Sequence, residues 1–262
     1  MYCSPIRKNS YEKHNTCFTK RQLIHIAKEL KIPYSNRNKM ELWKTINEQM
    51  SKYCAPKDEV CWIKKVPIID TDKTHRPKPP THYDNWLSNI DILNVMKQYE
   101  DKYSSFKFIG VLPIDFNTKI SSFSTKCISD ELCNVDFKKF KQYQFGIVFN
   151  LDKHNEPGSH WVCVYLNTKK THKNYGFYYF DSSGESIPKE IADVAKRTQD
   201  NLQDDSFKIH INENRKQYSD TECGMFCLYF IVKMVQGTTF NKLENSKFTD
   251  KDMIRLRKQM FI

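Results

Sequence analysis

The run Gln217-Tyr218-Ser219-Asp220-Thr221-Glu222-Cys223-Gly224-Met225-Phe226-Cys227 passes from polar to apolar within a few residues. Its first half reads as a loop. Met225, Phe226, Leu228, Tyr229, Ile231 and Val232 then read as an apolar helix that begins near Glu222. Cys223 falls in the first helical turn, where unpaired backbone N–H groups and the positive end of the macrodipole favour an anion. A thiol held there gives up its proton more readily and becomes a better nucleophile. Gly224 leaves room beside the sulfur for a substrate backbone. Gln217, six residues upstream of Cys223, offers amide N–H groups to a developing oxyanion. Cys227 lies among Phe226, Leu228 and Tyr229 and reads as a structural thiol.

A thiol nucleophile needs a base, and the base needs an orienting group. His160 opens an apolar stretch, directly before Trp161, and Asp181 closes another some twenty residues on, in Phe180-Asp181-Ser182-Ser183-Gly184. Two strands joined by a hairpin place the start of one beside the end of the next. Asp181 then holds the imidazole, His160 faces Cys223, Gln217 and the Cys223 N–H form an oxyanion hole, and Trp161 shields the pair. Singly, each residue has an ordinary reading: a core histidine, an Asp-Gly turn, a loop amide, a cysteine that opens a helix. The case rests on the ordered set.

The chain has 262 residues, 39% of them hydrophobic and 13% aromatic, enough for a core that leans on Phe and Tyr. Of the formal net charge of +11, a balance of +9 lies in residues 1–80. A basic module beside a near-neutral one suggests a polyanionic partner for the first, with a Lys-rich surface of no special function as the alternative. The nine cysteines, with no signal-peptide pattern at Met1-Tyr2-Cys3-Ser4-Pro5, point to free thiols in a reducing compartment. Met225–Val232, the longest apolar run, is too short to span a bilayer.

Residues 1–17 read as irregular. Leu23, Ile26, Ala27 and Leu30 form a helical stripe with Thr19 as N-cap; Leu42, Trp43, Ile46 and Met50 form a second, capped by Asn38. Cys3, Cys17, Cys54 and Cys61 flank the pair at gaps wider than those of zinc knuckles. Val66 to Thr81, with Pro67, Pro77, Pro79 and Pro80, reads as a stiff linker and puts a boundary near residue 80. Beyond it, the spacing predicts a helix from about Asp84 to Lys102, strands over 106–111, 144–149, 160–166, 175–180 and 207–211, and helices over 187–202, from Cys223, and over 250–260. The class is α+β: a mixed, mostly antiparallel sheet flanked by helices, residues 81–262, behind a basic helical module, residues 1–80.

Residues 18–51 are similar to the SAP motif, a small DNA-binding helix pair. His160-Trp161, Asp181 and the Gln217-to-Cys223 spacing resemble the cysteine proteases of the SUMO-protease and adenovirus-protease clan. Thr221-Glu222-Cys223-Gly224 and the Phe-Asp-Ser-Ser-Gly segment are similar to capsid-maturation proteases of large cytoplasmic DNA viruses, such as those of African swine fever virus and poxviruses. Trp86-Leu87 resembles the substrate-facing tryptophan segment that opens the clan's catalytic domain.

The resemblance implies a triad of His160, Asp181 and Cys223, with Gln217 at the oxyanion and Trp86, Trp161 and Gly224 at the substrate. It implies cleavage after glycine in capsid or core polyproteins, without metal or cofactor, in the host cytoplasm and the virion. The basic balance and the SAP-like helix pair suggest a DNA contact through residues 1–80. Three rivals stand beside this reading: a SUMO or ubiquitin deconjugase, a clan acetyltransferase that uses the same triad on acetyl-CoA, and a non-enzymatic DNA-binding or scaffold protein.

Overall fold

The structure is a computed structural model that describes residues 2–80, 86–121 and 124–262. The chain divides into two compact units, Met1–Pro79 with Lys258–Ile262, and Pro80–Arg257. The last five residues thus group with the first unit rather than with the second, and residue 81 lies outside the described residues.

In the first unit the chain forms α1 (Lys8–His14), α2 (Lys20–Glu29), α3 (Lys39–Met50) and α4 (Glu59–Lys65). Thr19 and Asn38 cap α2 and α3 with full capping boxes, closed by Gln22 and Glu41. Leu23, Ile26, Leu42, Trp43 and Ile46 meet Phe18 and Trp62 in one core. The N-terminal stretch is not irregular: a 3₁₀ turn at Pro5–Arg7 leads into α1. Nor does the proline-rich segment extend freely from residue 66. Thr74 and His75 are buried, and Ser4 N donates to Thr74 O while Arg76 N donates to Tyr2 O.

The cysteines do not remain free as expected. Cys3–Cys17, Cys54–Cys61 and Cys127–Cys133 are disulfides, and only Cys163, Cys223 and Cys227 are free thiols. The physical reason is proximity: Cys3 and Cys17, fourteen residues apart, have Cα atoms 5.1 Å apart.

The second unit is built on a five-stranded mixed sheet in the order β1 (Phe106–Pro113), β2 (Gln144–Asn150), β3 (Trp161–Asn167), β4 (Gly176–Phe180) and β5 (Ile209–Ile211). The outer pairs β1–β2 and β4–β5 are parallel; β2–β3 and β3–β4 are antiparallel. Helices α5 (Asn89–Lys102), α6 (Asp130–Cys133), α7 (Lys189–Leu202), α8 (Cys223–Val235), α9 (Phe240–Asn245) and α10 (Asp250–Met260) complete the chain. The start of the α5 helix read at Asp84 lies outside the described residues, and the helix begins at Asn89 behind a Ser88 capping box.

Both sheet faces are covered, which is why β2 to β4 read as continuous apolar runs. Phe145, Ile147, Val162, Val164, Phe177 and Tyr179 share one core with Ile191 and Val194 of α7. On the other face α8 lies against β3, and Phe180 stacks on Phe230 at 4.6 Å. Alternate residues of each strand thus serve opposite cores.

Candidate active site

The antiparallel register of β3 and β4 pairs Cys163 with Phe180. His160 precedes the first residue of β3 and Asp181 follows the last of β4, so both leave the sheet at the same end. There His160 Nε2 lies 2.6 Å from Asp181 Oδ1. With Nε2 committed, Nδ1 is the ring nitrogen available to a nucleophile, and the Cys223 side chain lies near enough to the imidazole to act on its protonation. The structure therefore brings the three side chains together.

Asp181 is completely buried and its carboxylate is satisfied locally. Oδ1 accepts from Ser183 N at 2.8 Å and Oδ2 from Glu185 N at 3.3 Å. Gly184, at φ +76°, closes this turn; a Cβ there would stand 2.9 Å from both Glu213 O and Arg215 N. Burial alone would push the His160 imidazole down. Its hydrogen bond to Asp181, the nearby Cys223 side chain and the charges of both groups more than offset this and raise it to about 9. A histidine so held remains protonated at neutral pH and can stabilise a thiolate beside it.

Cys223 is the first residue of α8 and is itself buried. One turn on, Cys227 is the control: burial pushes its thiol well above the usual range, and it packs with its Sγ 3.4 Å from Trp161 O. One helix thus carries a thiol joined to an imidazole and another sealed in apolar packing.

Gln217 sits on the loop before α8. Ser182 Oγ donates to its Oε1 at 2.7 Å, and its Nε2 donates to Ser219 O at 2.6 Å. Ser182 O also accepts from Gln217 N at 2.9 Å. The turn that follows Asp181 therefore locates Gln217 as well. An amide nitrogen carries two hydrogens, so Gln217 retains a second donor.

Trp86 and Trp161 line one cleft of about 640 Å³, together with Leu87, Gly158, Asp152 and His154. Trp161 Nε1 donates to Leu87 O at 3.0 Å, which ties the two tryptophan segments to each other. Leu87 also reaches the nucleophile's neighbour. A Cβ on Gly224 would stand 3.1 Å from Leu87 Cβ. This corrects the reading of Gly224 as open room for substrate. Leu87 occupies that side, and the missing side chain serves packing between Leu87 and α8.

Three supporting residues escaped the sequence reading. Asn212 is buried and donates from Nδ2 to Asp181 O at 2.7 Å. Glu222, immediately before Cys223, forms a buried ion pair with Arg257 of α10; Arg257 Nη2 lies 3.1 Å from both carboxylate oxygens. No local pattern marks these partners, because each contact spans some thirty residues or more. Thr221-Glu222-Cys223-Gly224 gave the one available signal for Glu222.

Fold and site define a cysteine protease, a hydrolase. The family model described as YopJ serine/threonine acetyltransferase matches residues 112–258, more than half of the chain, and the chain belongs to that family. A putative thiol protease of Acanthamoeba polyphaga mimivirus is 27% identical over 99% of this chain and 92% of its own length. A cysteine protease of African swine fever virus is 26% identical over 70% of each chain. The crystal structure of the African swine fever virus protease covers 100% of this chain and 96% of its own, with a TM-score of 0.72 and 18% sequence identity. Among the described residues no helix is long and apolar enough to cross a membrane.

Proposed function

We propose that the chain is a viral thiol endopeptidase that cleaves after glycine in capsid or core polyproteins through Cys223, His160 and Asp181. The observation that carries the reading is the carboxylate–imidazole–thiol grouping, with buried Asp181 on one ring nitrogen of half-buried His160 and the buried Cys223 thiol near enough to act on the ring. Cys223 Sγ attacks the scissile carbonyl carbon, and the His160 proton passes to the leaving amine. Water then splits the acyl thioester, giving one proton to His160 and its hydroxyl to the carbonyl carbon. Gln217 Nε2 and the Cys223 N–H receive the developing oxyanion. Losing the Gln217 donor lowers kcat by about 10²–10³-fold, ~2.7–4 kcal/mol.

Trp86 and Trp161 on one cleft support the glycine preference. On this reading the two indole rings flank the approach and select residues without a side chain beside the scissile carbonyl. A Gly-Gly-Ala peptide is cut and an Ala-Ala-Ala peptide is not; equal cutting of the two would remove the glycine reading. SUMO- and ubiquitin-fusion substrates, offered beside the peptide, separate polyprotein processing from deconjugation.

The excess of +9 in residues 1–80 supports a DNA contact that keeps the enzyme at the assembling particle, in the virus factory and the virion. Its affinity for duplex DNA falls steeply with salt; a salt-independent affinity, or none, would end the tethering reading alone. The description of the matching family favours a second reading, acetyl transfer from acetyl-CoA to a serine or threonine. Labelled acetyl-CoA decides it: hydroxyl acetylation of added protein without peptide cleavage would replace the protease reading.

A further inference from the structure

The first unit contains a second cluster of chemically capable side chains, and it lies outside the machinery described above. Cys3, Cys17, Glu59 and His75 come from four separate segments and are all buried. Cys3 and His75 face each other in an antiparallel bridge, flanked by hydrogen bonds from Ser4 N to Thr74 O and from Arg76 N to Tyr2 O. Residues opposed in such a bridge project to the same face. The candidate ligand atoms of Cys17, Glu59 and His75 lie within 4.8 Å of one another, and Cys3 Sγ is bonded to Cys17 Sγ.

The hydrogen bonds around His75 hold its ring in place within this cluster. The Thr74 hydroxyl lies 3.1 Å from His75 Nδ1 and 3.3 Å from Thr71 O, which anchors the ring on that side. Nε2 then faces Glu59 Oε2 at 3.2 Å. At this distance the imidazole nitrogen and the carboxylate oxygen can share a proton or, with the proton displaced, hold a metal ion. An outer N–H anchored on a neighbouring oxygen is also how metal-binding histidines are oriented. Glu59 is fixed in the same way, by Trp43 Nε1 at 2.8 Å and Cys17 N at 3.0 Å, and the Phe18 ring lies 4.5 Å from that of His75.

We propose that Cys3, Cys17, Glu59 and His75 form a redox-gated zinc site, closed by the disulfide and opened by its reduction. A dithiol reductant gives two electrons and two protons to the Cys3–Cys17 bond and itself closes to a disulfide. Zinc then displaces both thiol protons and binds two thiolates, one carboxylate and one imidazole, a set of the size and chemistry that tetrahedral zinc takes. The ligands leave one excess negative charge. Lys39, which interacts with Glu59, and Arg7, whose Nε donates to Cys17 O at 3.2 Å, lie close enough to offset it. A small-molecule disulfide takes the two electrons back with two protons and becomes a dithiol, the Cys3–Cys17 bond re-forms and the ion is released.

The test uses the full chain carrying Cys223→Ala, so that the reactive thiol takes no metal. The protein is reduced with dithiothreitol, desalted without oxygen, loaded with zinc and measured for bound metal; cobalt loading reports thiolate ligation by its charge-transfer absorption. The reduced chain retains one equivalent and the oxidised chain none. The equivalent survives replacement of Cys54, Cys61, Cys127 and Cys133 by serine. It is lost in Cys17→Ser and in His75→Gln. No zinc on the reduced chain, equal zinc on the oxidised chain, or zinc that follows the other cysteines would overturn the proposal. The oxidised–reduced comparison needs no ligand variant to fold.

Discussion

Each unit buries a histidine against a carboxylate, and the two pairs serve different ends. In the second unit His160 meets Asp181 at 2.6 Å; in the first His75 meets Glu59 at 3.2 Å. Both carboxylates are sealed from solvent and held by backbone N–H groups. The imidazoles differ. His160 keeps 21% of its side chain exposed and joins a thiol, whereas His75 is 1% exposed and its remaining nitrogen meets the Thr74 hydroxyl. A carboxylate–imidazole pair is thus not an active site by itself. What the other nitrogen faces, and whether solvent and substrate reach it, decides between proton transfer and holding a fold or an ion together.

The contrast is sharpest under substitution. His160→Ala lowers kcat/KM by about 10²–10⁴-fold or more, because proton transfer and thiolate stabilisation go together. Asp181→Asn lowers it less and leaves Cys223 in place. Peptide-cleavage assays on variants with unchanged circular dichroism read both, and a loss below tenfold in His160→Ala would break the assignment. Glu59→Gln acts on stability instead. Removing one partner of a buried pair costs about 3–5 kcal/mol, read as a lower denaturation midpoint, with kcat per folded molecule unchanged. A drop in kcat at full folding would erase the distinction between the two pairs.

A smaller effect separates them by pH. His160 is raised from 6.5 to about 9, so its proton is kept across neutral pH and lost as pH climbs through about 9. The stability this pairing contributes is complete below 6.5 and disappears over the same alkaline window. Activity therefore falls on an alkaline limb near pH 9, and Asp181→Asn moves that limb to lower pH. A limb that stays in place in Asp181→Asn would show that another group controls it.

Much of this architecture is local, and local features are legible. The caps Thr19 and Asn38, the apolar runs of β2 to β4 and the start of α8 at Cys223 all follow from neighbours in the chain. The pairing of His160 with Asp181 could be read because hairpin geometry brings the two together. Long-range contacts left no such trace. Glu59 stands in the charged run Lys57-Asp58-Glu59 and looks solvated, yet Cys17, Trp43 and His75 close over it. The prolines around residues 67–80 suggested an extended linker because the bridge from Cys3 to His75 spans the whole unit. Gly224 looked like space for a substrate because its occupant, Leu87, comes from far upstream.

The most direct measurement is the position of the acyl group during turnover. A peptide ending in Gly-Gly, joined to a fluorogenic amine, is mixed with excess enzyme, quenched in acid and mapped by mass spectrometry. The expected result is one acyl thioester, on Cys223, formed with a burst of free amine and absent in Cys223→Ala. An acyl group on Cys163 or Cys227, or amine release that survives Cys223→Ala, would contradict the account.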